Sequence, residues 1–258
     1  MIELPADSDV VIHGENLAVL GELPDACVPL VYIDPPFNTG QPKVRRTAAA
    51  DHRYHDSFED YLGFIRPRLE EARRLLTPDG TLYVHLDQRE AHYVKVLLDE
   101  VFGRDCFLNE IIWAYDYGGR ARDRWPAKHD TILVYVRSPR GHFFAQDQIE
   151  RIPYLAPGLV GEEKAARGKL PTDVWWHTIV PTNSREKTGY PTQKPEGILA
   201  RVISASSRPG DRVLDFFAGS GTTGAVAARL GRRFLLVDEN PAAIEVMRAR
   251  LPAGTLFR

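Results

Sequence analysis

Short apolar runs punctuate the chain, each ending at polar or turn-forming residues, and between them apolar residues recur at a spacing of three to four. The runs predict buried strands and the spacing predicts amphipathic helices. Strands are expected just before Glu15 and at 30–33, 81–86, 109–114, 132–136, 212–215 and 234–237. Helices are expected at 15–23, 58–76, 89–101, 195–207, 223–230 and 241–250. Leu17, Leu20 and Leu23 share a face of the first; Leu62, Ile65, Leu69 and Leu76 form the buried side of the second, with Ser57 as its cap. Gly80 should close that helix's turn, and Pro195 and Pro241 should stand in first helical turns, where proline is tolerated. Alternating strands and helices predict an α/β fold, a doubly wound and mostly parallel sheet of seven strands.

The order of elements points to a circular permutation. After the glycine turn ending at Gly224, residues 225–258 have room for only a helix, a strand and a closing helix. A doubly wound sheet needs more strands than that. They must come from upstream, so the first strand of the fold is encoded near the end of the chain.

At 258 residues and 43% hydrophobic, the chain can bury one large core. A single domain over 1–258 with an inserted segment at 138–187 is expected. There is no apolar run of membrane-spanning length, and the start, Met-Ile-Glu-Leu-Pro-Ala-Asp, has neither the basic nor the apolar stretch of a secretion signal. These features predict a cytoplasmic protein. Cys27 and Cys106 are too few for a disulfide framework and lack metal-ligand spacing, so no metal is expected.

Two motifs carry chemistry. The strand at 30–33 runs into Asp34-Pro35-Pro36-Phe37. The prolines fix φ and withhold N–H donors while keeping their carbonyls, so the turn is rigid and rich in acceptors. A carboxylate, a locked carbonyl and a ring suit a planar group bearing an NH2. Alone, this is also what an ordinary Pro-Pro turn looks like. The second motif, Arg212-Val-Leu-Asp-Phe-Phe-Ala-Gly-Ser-Gly-Thr-Thr-Gly224, places Gly219, Gly221 and Gly224 between a strand and a helix, with a further strand ending at Asp238. That layout holds a ribose-bearing cofactor. A dinucleotide is the usual ligand, but Asp215 just before the glycines would repel a pyrophosphate and could accept from a cofactor amine instead. S-adenosylmethionine, cationic and free of phosphate, meets that condition.

Together the motifs resemble the DNA amino-methyltransferases that act on adenine N6 or cytosine N4, in the permuted class called beta, where the catalytic motif comes first. The resemblance covers most of the chain, least so residues 38–55 and 140–170. It implies Asp34, Pro35, Pro36 and Phe37 as the catalytic motif. It implies a cofactor site of Asp215, Phe217, Ala218, Gly219, Ser220, Gly221, Thr222 and Asp238. Ile12-His-Gly-Glu-Asn16 resembles the segment that contacts the cofactor's adenine, with Glu15 where the family usually has Asp. Tyr190-Pro-Thr-Gln-Lys-Pro195 resembles the motif leading into the helix before the cofactor loop, adding Thr192 and Lys194, with Tyr190 in place of the common histidine. Asp173-Val-Trp175 is a further marker. Dimers are common in the family, so a homodimer is compatible with the resemblance.

Net charge is −2, which excludes a general polyanion binder, yet cations cluster locally. Lys43, Arg45, Arg46 and Arg53 lie in the expected loop after the Pro-Pro turn. Arg120, Arg122, Arg124 and Lys128, with Tyr117 and Trp125, lie in the loop after the strand at 109–114, where Gly118 and Gly119 favour mobility. Both loops leave the carboxyl edge of a sheet, where α/β folds bind ligands, so they are candidate phosphate contacts on duplex DNA. Base readers are expected in 138–187; Trp175 and Trp176 fit base contact or core equally.

The expected function is therefore transfer of a methyl group from S-adenosylmethionine to adenine N6 in DNA. The alternatives are cytosine N4, an RNA or protein amine, and, from other classes, a dinucleotide-dependent oxidoreductase or a non-catalytic DNA-binding module.

Overall fold

The computed structural model describes residues 2–40, 43–46 and 51–54 (main chain only), 56–118 and 120–258. In chain order the elements are β1 (Val10–His13), α1 (Asn16–Gly21), β2 (Val28–Ile33), β3 (Lys43–Arg46), β4 (Asp51–Tyr54), α2 (Tyr61–Leu75), β5 (Leu76–Leu86), α3 (Ala91–Phe102), β6 (Phe107–Ala114) and β7 (His129–Val136). They continue with α4 (Glu162–Arg167), β8 (Val174–Trp176), α5 (Glu196–Ser206), β9 (Arg212–Asp215), α6 (Thr222–Arg229), β10 (Arg233–Asp238), α7 (Pro241–Arg250) and β11 (Leu256–Phe257).

Nine strands form one sheet in the order β11-β1-β10-β9-β2-β5-β7-β6-β8. The seven expected strands form its interior, and two short ones, β11 and β8, are added at the edges. Every neighbouring pair is parallel except those of β7, which runs antiparallel to both β5 and β6. The late strand β9 lies between β10 and the early strand β2, pairing Leu30 with Val213 and Val31 with Leu214. The permutation is therefore real. From β9 the winding runs to β10 and β1 on one side; from β2 it runs to β5 on the other. The crevice between β2 and β9 is the switch point at which such sheets bind ligands.

The central strands are continuous apolar runs because both sheet faces are covered. Val31, Ile33, Val84, Leu214 and Leu235 share one buried cluster with residues of α1, α2 and α3. Their alternates Leu30, Tyr32, Tyr83, Val213 and Leu236 share the other with residues of α5, α6 and α7. Trp175 belongs to this second core beneath Arg201, whereas Trp176 is exposed. Among the described residues no helix is long and apolar enough to cross a membrane.

Several local expectations are corrected. The cap of α2 is Asp60, which accepts from Gly63 N at 2.8 Å, and not Ser57. Gly80 does not close a turn after the helix. Strand β5 starts at Leu76, paired with Val28, and pairing resumes at Thr81 with Leu30, so 77–80 bulge out. A Cβ on Gly80 would lie 3.0 Å from the carbonyl oxygens of Pro29 and Thr77, and backbone crowding explains the glycine. Pro195 is the cap of α5 and stands outside its first turn; Pro241 opens α7 as expected. The segment bearing Lys43, Arg45 and Arg46 is an antiparallel hairpin of β3 with β4, not a loop. The side chains of these three and of Arg53 lie outside the described residues, as does Gly119.

Helix α6 packs so closely on the sheet that a Cβ at Gly224 would lie 2.7 Å from Leu236 Cδ1 and 3.1 Å from Leu251 Cδ2. Gly224→Ala is expected to lower unfolding free energy by roughly 1–3 kcal/mol through overpacking, measured as a shift of the urea midpoint at unchanged slope.

Candidate active site

Four neighbouring strands end at one edge of the sheet, and each delivers an acid there. Strand β1 is followed by Glu15, β10 ends in Asp238, β9 ends in Asp215 and β2 is followed by Asp34. All four line a cavity of about 370 Å³.

The glycine turn forms one wall. Gly219 and Gly221 have φ of +50° and +71°, a left-handed backbone that favours glycine. Gly219 N donates to Asp238 Oδ2 at 2.7 Å, so the main chain of the turn is pinned to the end of β10. Asp215 is buried, accepting from Phe217 N at 3.0 Å and from Thr223 Oγ1 at 2.6 Å. Desolvation pushes its carboxyl up to about 7 despite those bonds. Burial also raises Asp238.

Asp34 lines the same cavity. Lys194 Nζ lies 2.7 Å from Asp34 Oδ2 and 4.7 Å from the centroid of the Phe37 ring. Asp34 Oδ1 is buried with no hydrogen-bond partner among the described residues. Asn38, at φ +54°, turns the chain after Phe37 and ties it down, donating to Glu90 Oε1 at 2.8 Å and accepting from Phe58 N at 2.9 Å. Thr192 is held at φ +60°, a strained conformation for a β-branched residue and one that recurs at functional sites.

A polar chain with no sequence signature starts two residues before Asp34. Tyr32 Oη lies 2.8 Å from His85 Nδ1, His85 Nε2 lies 3.0 Å from Asp130 Oδ2, and Tyr115 donates to Asp130 Oδ1 at 2.9 Å. His85 is wholly buried, and its ring centroid is 6.0 Å from that of Phe37. The chain links β2, β5 and β7 and ends where the loop carrying Arg120, Arg122 and Arg124 begins.

Nearly all the expected site residues meet here: Asp34, Pro35, Pro36, Phe37, Glu15, Asp215, Phe217, Ala218, Gly219, Ser220, Thr222, Asp238, Thr192 and Lys194 line the cavity. Gly221 is not among the lining residues; besides its left-handed backbone, a Cβ there would lie 2.7 Å from Met247 Cγ. Glu15 is on the wall, but its carboxylate caps α1 through Leu17 N and Ala18 N and pairs with Arg68 at 2.6 Å. Arg120, Arg122 and Arg124 are exposed outside the cavity, and Lys128 is half-buried, donating to Gly118 O at 3.0 Å. Sequence reasoning passed over Asn16, whose amide donates to Phe216 O at 2.8 Å and whose carbonyl accepts from Arg68 at 2.7 Å, although it closes the 12–16 motif.

The model of the N6/N4 DNA methylase family matches residues 28–249, which takes in both motifs and the late strands. The chain belongs to that family. It is a DNA amino-methyltransferase with S-adenosylmethionine as methyl donor. It is 31% identical to the DNA adenine methyltransferase YhdJ of Escherichia coli K12, over 97% of this chain and 85% of that protein. It is 34% identical to the type II methyltransferase M.HpaI of Haemophilus parainfluenzae, over 93% of this chain and 73% of that one. Its fold matches the cytosine-N4-specific PvuII DNA methyltransferase at TM-score 0.70 and 16% identity, covering 96% and 88% of the two chains.

The methylase's cavity suits its donor. The volume falls within the ~300–1,000 Å³ of small-molecule sites, and acids facing a glycine turn favour a cationic ligand over a phosphate. Bound there, the donor supplies an electrophilic methyl group on a sulfonium.

The Asp215 carboxyl titrates at about 7 when folded and near 3.9 when unfolded, so the folded state binds the extra proton. The stability of the unliganded methylase should therefore fall as pH rises from about 4 to 7 and level off above. Asp215→Asn should flatten that slope and be the more stable form at pH 8, measured by urea titration across pH.

Proposed function

We propose that this methylase transfers the methyl group of S-adenosylmethionine to N6 of adenine in duplex DNA, with Asp34-Pro35-Pro36-Phe37 as its catalytic motif. The observation that carries this reading is the half-satisfied carboxylate of Asp34, whose Oδ1 is buried and has no partner among the described residues, in a cavity shared with Phe37 and the glycine turn. The exocyclic nitrogen of a base is a poor nucleophile because its lone pair is delocalised into the ring. Asp34 and the Pro35 carbonyl accept its two N–H bonds, which draws the nitrogen towards tetrahedral geometry and frees the lone pair. Phe37 stacks on the base. Holding amine and methyl in line supplies much of the rate, and the same acceptors stabilise the positive charge that develops on nitrogen. The proton leaves to water after transfer. In a duplex the base must first leave the stack, which costs a few kcal/mol, offset by contacts in the pocket.

Adenine is favoured by Asp in the first position of the motif, a feature more typical of adenine enzymes, and by 31% identity along nearly the whole chain to a relative named as an adenine methyltransferase. Asp215, Gly219, Asp238, Thr192 and Lys194 are assigned to the donor. Contact with DNA is assigned to Arg120, Arg122, Arg124 and Lys128, to Lys43, Arg45 and Arg46, and, for base reading, to 138–187. Trp125 supports this face: it is 96% exposed amid the arginines, where a large apolar ring gains from a partner.

Incubation of unmethylated DNA with isotopically labelled donor, followed by nucleoside mass spectrometry, should place the label in N6-methyladenine. Label in N4-methylcytosine would keep the mechanism and overturn the base. Asp34→Ala should reduce transfer by at least about 10²–10³-fold while calorimetry shows donor binding no weaker than wild type. Replacing Arg120, Arg122 and Arg124 together by alanine should weaken binding to all duplexes alike. The slope of log K against log salt should flatten by about 0.9 for each phosphate no longer neutralised.

A further inference from the structure

The ammonium of Lys194 holds Oδ2 of Asp34, lying against the Phe37 ring, and so crowds the place that the proposed mechanism reserves for the substrate amine at Oδ1. An N–H donor bound to Asp34 and lying against the Phe37 ring is what the target base must present, and Lys194 Nζ does both, at 2.7 Å and 4.7 Å. The pair is largely withdrawn from water, with side-chain exposures of 11% and 17%, so its attraction is well above that of a surface ion pair and it opens readily only if the cation finds another anion.

The cavity's own charges identify that anion. Its described wall carries two basic side chains, Arg68 and Lys194. Arg68 is committed, donating to Glu15 at 2.6 Å, to Asn16 at 2.7 Å and to Phe64 O at 2.6 Å. S-adenosylmethionine carries one negative group, its carboxylate, and enters a site already lined by Glu15, Asp34, Asp215 and Asp238. Among the described residues of the wall, Lys194 is the remaining cation able to receive that carboxylate. Its main chain is anchored, with its carbonyl accepting from Thr222 Oγ1 at 3.3 Å, while its side chain borders both the donor cavity and the adjacent one lined by Trp113, Tyr115 and Asp130.

We propose that Lys194 is a two-position residue: it closes Asp34 to the target amine until the carboxylate of the donor draws the ammonium away, so that the donor must bind before the base. This rests on the reading of Asp34 as acceptor of the amine. It makes the acidic catalytic site tolerable in the unliganded protein and couples its exposure to loading of the donor.

The test needs neither a target sequence nor turnover. Calorimetry on the full chain measures affinity for S-adenosylhomocysteine, which keeps the carboxylate, and for methylthioadenosine, which lacks it. Lys194→Met is expected to weaken S-adenosylhomocysteine about 10- to 100-fold and to leave methylthioadenosine within about twofold. Asp34→Asn, by releasing the ammonium, is expected to tighten S-adenosylhomocysteine several-fold, and that gain should vanish in the Lys194→Met background. Lys194→Gln, which keeps a polar side chain of similar reach, should reproduce the loss and guards against a folding defect. Equal weakening of both ligands by Lys194→Met would make Lys194 a structural residue and overturn the proposal. So would an Asp34→Asn gain that persists without the lysine, since direct repulsion would then explain it. Failure of wild type to bind either ligand would instead sink the assignment of the donor cavity.

Discussion

The architecture turns on one electrostatic problem. Parallel winding brings the ends of β1, β10, β9 and β2 side by side, and each carries a carboxylate into the same cavity. Four like charges in a poorly solvated crevice would repel one another by several kcal/mol if left alone. Each is relieved differently. Glu15 is spent on the amino end of α1 and on Arg68. Asp238 takes backbone N–H groups from Gly219 and Asn240. Asp215 is held by Thr223 and Phe217 and keeps its proton up to about pH 7. Asp34 is relieved by the ammonium of Lys194.

This division of labour separates fixed from adjustable parts. The acids satisfied by main-chain groups form a rigid, electron-rich wall suited to a sulfonium and an amine. The acid satisfied by a lysine is the one on which chemistry is proposed. A lysine suits that role because its charge sits on a four-carbon stem with no fixed fork geometry, so it can change partners without moving the backbone.

Next to the Pro-Pro turn, the Tyr32–His85–Asp130–Tyr115 chain fastens three adjacent strands together through a buried polar network. Such a network is rigid when fully satisfied, and both ring nitrogens of His85 are satisfied. The Phe37 ring rests beside it, and the exposed arginine loop starts and ends at its far side. Support of the motif and presentation of the basic surface thus share one anchor.

How much of this was legible follows from the range of each interaction. The seven interior strands, the main helices, the permutation and both motifs are written in local patterns, since burial on both sheet faces demands continuous apolar runs and a tight turn demands glycine or proline. The cap of α2 was misread because Ser57 and Asp60 are both competent caps and packing chose between them. Gly221 has a left-handed backbone and clears Met247, and a glycine needed for those reasons looks the same in sequence as one needed by a ligand. The sequence by itself thus determined the fold class, the family and the two motifs that meet at the cavity. Only the tertiary structure decided how each acid is relieved, and that Lys194 lies on Asp34. Those outcomes depend on burial and on distances between residues up to about two hundred positions apart in the chain, as between Asn16 and Phe216, and no local pattern encodes such distances.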